Sequence, residues 1–147
     1  MIRVVIIDDQ RLVREGLAHL LSEAIDVVGL AANGREGIEV CRATRPDVAL
    51  VDVVMPELDG PACTRALLAE DLVGHVVALS TYDTDESLFA MLAAGAAGYV
   101  LKDVDPDLLV AAVTSVHGGE STLPLGALRR VARRLGTATR ELPTGPD

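Results

Sequence analysis

"LVDVVMPELDG", residues 50–60, ends an apolar run on a carboxylate, resumes with Val53, Val54 and Met55, and then turns at Pro56 and Asp59-Gly60. A strand that only had to stop could use Gly or Asn, so Asp52 needs a reason. The run leading into it, "DVALVD" (47–52), is nearly continuous in apolar residues instead of alternating. That is the pattern of a parallel strand covered by helices on both faces. Four further short runs resemble it: "RVVIID" (3–8), "DVVGLA" (26–31), "HVVALS" (75–80) and "GYVLK" (98–102).

Helical periodicity fills the spaces between them. Leu12, Val13, Gly16, Leu17, Leu20 and Leu21 recur at helical spacing, and Ile38 and Cys41 do so after the turn at Asn33-Gly34, with Pro46 marking the end. Leu88, Met91 and Leu92 form an apolar face before Gly95. Asp105-Pro106 reads as a helix cap followed by a first-turn proline. Strand and helix thus alternate five times, which predicts an α/β doubly wound, flavodoxin-like five-stranded parallel sheet.

A chain of 147 residues is long enough for one domain with a real core. Half of it is hydrophobic, only 2% is aromatic and Trp is absent, so Val, Leu, Ala and Ile must build that core. The net charge of −9 argues against a grip on nucleic acid or an anionic membrane through the overall field. Cys41 and Cys63 lack metal-ligand spacing and read as buried thiols in a reducing compartment. The apolar start is too short for a signal peptide and runs into Asp8-Asp9. The longest uncharged run, Ser87 to Leu101, falls short of the roughly 18 residues of a membrane helix. These features predict a cytoplasmic protein.

The strand ends carry the chemistry. The first ends on Asp8-Asp9, the third on Asp52, the fourth on Ser80 and the fifth on Lys102. In a parallel sheet all of these emerge at the carboxyl edge, where open α/β folds hold their ligands. With strand order 2-1-3-4-5, strands one and three are neighbours and the three aspartates converge. Such a cluster raises at least one carboxyl pKa unless a cation is present. Mg²⁺, which takes hard oxygen ligands and keeps several waters, suits it. Two carboxylates for a metal, one left as nucleophile, and Lys102 and Ser80 facing them make a phosphoryl-accepting site.

Taken singly, each residue has a simpler role: Asp8-Asp9 as a helix cap, Asp52 as a turn residue, Ser80 and Lys102 as ordinary strand ends. Those roles do not explain why all occupy equivalent positions. Two enzyme classes also use such sites. A haloacid-dehalogenase-type phosphatase needs a second acid two residues after its nucleophile, where this chain has Val54. A P-loop needs a Gly-rich turn ending in Lys-Ser or Lys-Thr, which "DDQRLVREG" lacks.

Residues 2 to 118 resemble the receiver domain of two-component response regulators. "IIDDQRLVREGL", "LVDVVMPELDG", "ALSTYD" and "AGAAGYVLKD" match that family's motifs in order and spacing, and "DDQRLVREGL" with "GYVLKD" most resembles the NarL/LuxR-type subclass. The resemblance implies that Asp52 is the phospho-acceptor, charged from a phosphohistidine of a sensor histidine kinase. It implies that Asp9, Asp52 and the backbone carbonyl of Val54 bind Mg²⁺, with Asp8 assisting. Lys102 would bind phosphoryl oxygens, Ser80 would be the switch hydroxyl and Tyr99 the aromatic switch that swings inward. The chain is then a signalling module and not an enzyme.

The same resemblance divides the chain into a receiver over 1–118 and a linker helix with flexible tail over 119–147, the output domain being absent. In "LPLGALRRVARRLG" (123–136), Leu128, Val131, Ala132 and Leu135 share one helical face among Arg129, Arg130, Arg133 and Arg134; "TATRELPTGPD" reads as disordered linker. DNA contact is expected only through a missing helix-turn-helix domain, and no membrane contact is expected. A homodimer favoured by phosphorylation is expected through the face of the fourth helix, fifth strand and fifth helix, or through the first and fifth helices. In the fifth helix Leu108, Leu109, Ala112, Val113 and Val116 are predicted to face the core, leaving Val110 and Ala111 outward. The alternative reading is a stand-alone or phosphorylation-independent receiver acting as an interaction module.

Overall fold

The structure, a computed structural model, describes residues 1–141. Five parallel strands, β1 (Arg3–Ile7), β2 (Asp26–Ala31), β3 (Val48–Asp52), β4 (His75–Ser80) and β5 (Gly98–Leu101), form one sheet in the order β2-β1-β3-β4-β5. The helices are α1 (Arg11–Leu21), α2 (Gly34–Thr44), α3 (Gly60–Ala69), α4 (Asp85–Ala94), α5 (Pro106–His117) and α6 (Leu125–Glu141). The order predicted from sequence is the one observed.

The near-continuous apolar runs follow from burial on both faces. Val5, Ile7, Ala49 and Val51 point to one side, with Cys41, Cys63, Leu67, Leu88 and Met91. Val4, Ile6, Val48 and Leu50 point to the other, with Leu17, Leu21, Leu109, Val113 and Val116. Alternate residues of each strand therefore feed two separate cores, and only the edge strand β2, half-buried along most of its length, begins on an exposed polar residue, Asp26.

The helix ends follow local chemistry. Asn33 accepts from the Glu36 amide, Asp59 from Ala62, Thr84 from Ser87 and Asp105 from Asp107. Gly95 ends α4 at φ +109°, a conformation that costs glycine nothing. Some apolar positions face out instead: Leu12 is 87% exposed. On α5, Leu108 is exposed and Val110 packs against the core cluster, the reverse of the predicted placement. The true core stripe is Leu109, Ala112, Val113 and Val116, at spacings of three, one and three; Leu108 precedes it and turns away.

Past α5 the chain stays on the domain. Thr122 forms a parallel bridge with Gly98 at the edge of β5, and α6 packs on α4. Its packed side chains are Ala127 and Val131, whereas Leu128 and Leu135 are exposed. The helix continues to Glu141, so the beginning of the predicted tail is helical. Ala, Arg and Glu form helix well and the first proline comes only at Pro143. The rest of the tail lies outside the described residues.

Candidate functional site

The β1–β3 pairing sets Ile7 beside Val51, so residues 8 and 52 leave the sheet side by side. Asp8 is fully buried. Its amide donates to the Ala31 carbonyl at 3.0 Å and its Oδ1 accepts from the Gln10 amide at 2.8 Å. One carboxylate oxygen thus shapes the entry to α1, part of the capping role open from sequence, and the other is left for the pocket. Asp52 is buried beside it and Asp9 is exposed. Carboxylate oxygens of Asp8, Asp9 and Asp52 lie within 4.8 Å of one another.

Lys102 enters from the end of β5, its amide donating to the Ser80 carbonyl at 2.9 Å. Its Nζ lies 2.9 Å from Asp8 Oδ2 and 3.0 Å from Asp52 Oδ2, and it donates to Gln10 Oε1 at 3.0 Å. Burial lowers the lysine pKa, but hydrogen bonds to Asp8 and Asp52 outweigh it and the net direction is up. The ammonium therefore stays charged between two buried carboxylates.

That cation does not neutralise the pocket. Burial first, then the hydrogen bond with Asp9 and the charge of Asp8, push the Asp52 carboxyl up to about 7 against the pull of Lys102. The predicted pKa rise thus falls on Asp52. An all-oxygen donor set, one exposed member and uncompensated negative charge fit a hard divalent cation. Val54, whose carbonyl was predicted as a further ligand, stands just after β3 and is 72% exposed.

The loop bearing Asp52 is held from behind. The Gly60 amide donates to the Val53 carbonyl at 2.8 Å, and a Cβ at Gly60 would stand 2.3 Å from the Asp52 carbonyl oxygen. Only glycine lets the α3 N-terminus come this close. Glu57 in the same loop has φ +66°, a left-handed conformation unusual for any residue that carries a Cβ.

Ser80 is buried and its Oγ donates to the Tyr82 carbonyl at 2.5 Å. Tyr99 is 1% exposed and its Oη donates to the same carbonyl at 3.4 Å. The ring expected to swing inward is therefore already inside, packed in the cluster that includes Ala127 of α6. Gln10 and the Tyr82 carbonyl were not foreseen as parts of the site; a backbone acceptor leaves no mark in the side-chain sequence.

Residues 4–114 match the response regulator receiver domain family. The chain belongs to that family. The receiver is 40% identical over 126 residues to the transcriptional regulatory protein LnrK of Bacillus subtilis, covering 84% of this chain and 57% of that protein. It is 36% identical over 146 residues to the DNA-binding transcriptional activator DevR/DosR of Mycobacterium tuberculosis, covering 97% and 67%. Among solved structures, the signal receiver domain of NarL from M. tuberculosis superposes with a TM-score of 0.76 at 36% identity, covering 81% of this chain and 98% of that one. The receiver's relatives are thus NarL/LuxR-type transcriptional regulators, and the chain spans little more than half the length of the first of them. Among the described residues no helix is long and apolar enough to cross a membrane.

Proposed function

We propose that this receiver takes a phosphoryl group on Asp52 from the phosphohistidine of a sensor histidine kinase. The observation that carries the reading is the cluster of three carboxylates within 4.8 Å, with Lys102 bridging Asp8 and Asp52. A carboxylate oxygen of Asp52 forms the new P–O bond as the P–N bond to imidazole breaks, and the ring keeps the electron pair and takes up a proton. Lys102, already charged and hydrogen-bonded here, turns from Asp52 to the transferred oxygens. Asp8, Asp9 and Asp52 with the Val54 carbonyl would hold Mg²⁺, which when bound neutralises charge on the transferring group. Ser80 is the switch hydroxyl and Tyr99 the aromatic partner that shares its acceptor.

Residues 1–118 are the receiver, and the remainder leads to an output domain outside this sequence, which the transcription-regulator relatives support. DNA contact then belongs to that domain. Buried, free Cys41 and Cys63, both pushed by burial to about 12, support a reducing cytoplasm. A phosphorylated homodimer forms through α1 and α5, where Leu12 and Leu108 stand exposed. Sedimentation with and without phosphorylation checks this, and a monomer in both states at all concentrations refutes it.

The deciding experiment is intact mass after incubation with a small phosphodonor and Mg²⁺. The parent chain should gain one phosphoryl group and Asp52→Asn none. Equal labelling of the two removes Asp52 from the role.

A further inference from the structure

Helix α6 lies over the part of the receiver that contains Tyr99. Thr122 ties its approach to β5, donating to the Ala97 carbonyl at 2.9 Å and accepting from the Tyr99 amide at 3.2 Å. Ala127 is 3% exposed in the Tyr99 cluster, and Leu123 and Val131 pack against it. The Arg134 guanidinium sits 4.9 Å from the Phe89 ring centre on α4. Arg130 makes ion pairs with Asp83, in the β4–α4 loop, and with Asp85, in the first turn of α4. Its side chain is only 16% exposed, and Nη2 is buried without an acceptor.

This grip falls next to the one made from inside. Ser80 Oγ and Tyr99 Oη both donate to the Tyr82 carbonyl, and the following residue is the Asp83 held by Arg130. The Ser80 hydroxyl has a single proton, so donation to a phosphoryl oxygen ends donation to Tyr82. The carbonyl is then left with the longer bond from Tyr99. Asp83 and Asp85 are 46% and 62% exposed, and ion pairs so close to solvent are weak enough to break. The unsatisfied Nη2 weakens the attachment further.

We propose that α6 is a clasp on the receiver, fastened by Arg130 to Asp83 and Asp85, which opens when the Ser80 hydroxyl leaves the Tyr82 carbonyl for a phosphoryl group on Asp52. The proposal rests on the reading of Asp52 as acceptor and adds a route from it to the chain beyond the receiver. Opening exposes the Tyr99 side of the domain and frees the segment that leads onward. Because coupling is reciprocal, loosening α6 must also favour the phosphorylated state.

Amide hydrogen exchange over 125–136 tests the clasp in the unphosphorylated chain. Arg130→Ala, and independently the pair Asp83→Asn with Asp85→Asn, should raise exchange there about tenfold, while the outward Arg129→Ala should not. Protection unchanged in both clasp variants overturns the proposal. Beryllofluoride with Mg²⁺, used as a phosphoryl mimic, should deprotect the same segment in the parent and bind Arg130→Ala about three to ten times more tightly. A parent that takes a phosphoryl group, by mass, yet keeps 125–136 protected overturns the coupling alone. A parent that takes none overturns the acceptor reading and the coupling with it, and the exchange of the variants still decides the clasp.

Discussion

Replacing Asp52 with Asn should stabilise the metal-free domain, and by more as the pH rises. In the fold the Asp52 carboxyl is pushed from 3.8 to about 7, by burial before anything else. A carboxyl whose folded value lies above its unfolded one contributes stability that is whole below about pH 4. That contribution is lost as the pH climbs through about 7. At about 1.4 kcal/mol for each pH step, the ceiling on the loss is ~4 kcal/mol. The pocket opens to water at Asp9, so screening should leave ~1–2 kcal/mol. The amide does not titrate, is nearly the same shape, and leaves Lys102 paired to Asp8 and Gln10. Urea unfolding with a chelator present, at about pH 5 and about pH 8, should show the gap between variant and parent widening by ~1 kcal/mol. Adding Mg²⁺ at the higher pH should narrow it by stabilising the parent. A gap equal at both pH values, or a variant less stable than the parent at the higher one, would refute the charge argument.

Lys102→Met leaves Asp8 and Asp52 buried without their shared cation; urea unfolding near neutral pH should show a loss of ~3 kcal/mol, smaller near pH 5 where Asp52 is protonated. Gly60→Ala drives a methyl to 2.3 Å from the Asp52 carbonyl oxygen, so stability should fall by ~1–3 kcal/mol and phosphoryl uptake by mass should slow. Glu57→Gly relieves a left-handed residue at φ +66°, and thermal unfolding should report a gain of roughly 0.5–1 kcal/mol after the entropy cost of glycine.

The sheet was legible because its central strands have no choice of face: a run buried on both sides must be nearly continuous in apolar residues, and several of the five were. The acidic pocket was legible because Asp8, Asp52 and Lys102 sit at fixed ends of those runs. Helix α3 was not assigned an apolar face, because Asp59-Gly60 reads as a turn while it serves as N-cap and first residue. The outward turn of Leu108 and Leu128 was hidden for another reason. Helical spacing fixes which residues share a stripe but not which stripe meets the domain, and on α6 two arginines contributed to the packed side. Gln10 and the Tyr82 carbonyl were invisible because their roles depend on where a turn places an oxygen.

The arginines of α6 also bear on what this segment can do with DNA. Read as a sequence, Arg129, Arg130, Arg133 and Arg134 form a basic cluster on a helix that leads away from an acidic domain. In the structure Arg130 is taken up by Asp83 and Asp85, and Arg134 lies on Phe89 yet stays exposed, as Arg129 and Arg133 do. Half of the cluster is therefore directed at the domain's own surface. Phosphate binding depends steeply on how many cations engage at once, so with Arg130 taken up and a net charge of −9 alongside, the segment is expected to release a duplex as salt rises to physiological strength. The placement of Arg130 and Arg134 gives them a different purpose. An arginine that pairs with a loop next to Ser80 makes the position of α6 depend on that loop, and a helix whose position depends on the loop can report its state to whatever follows.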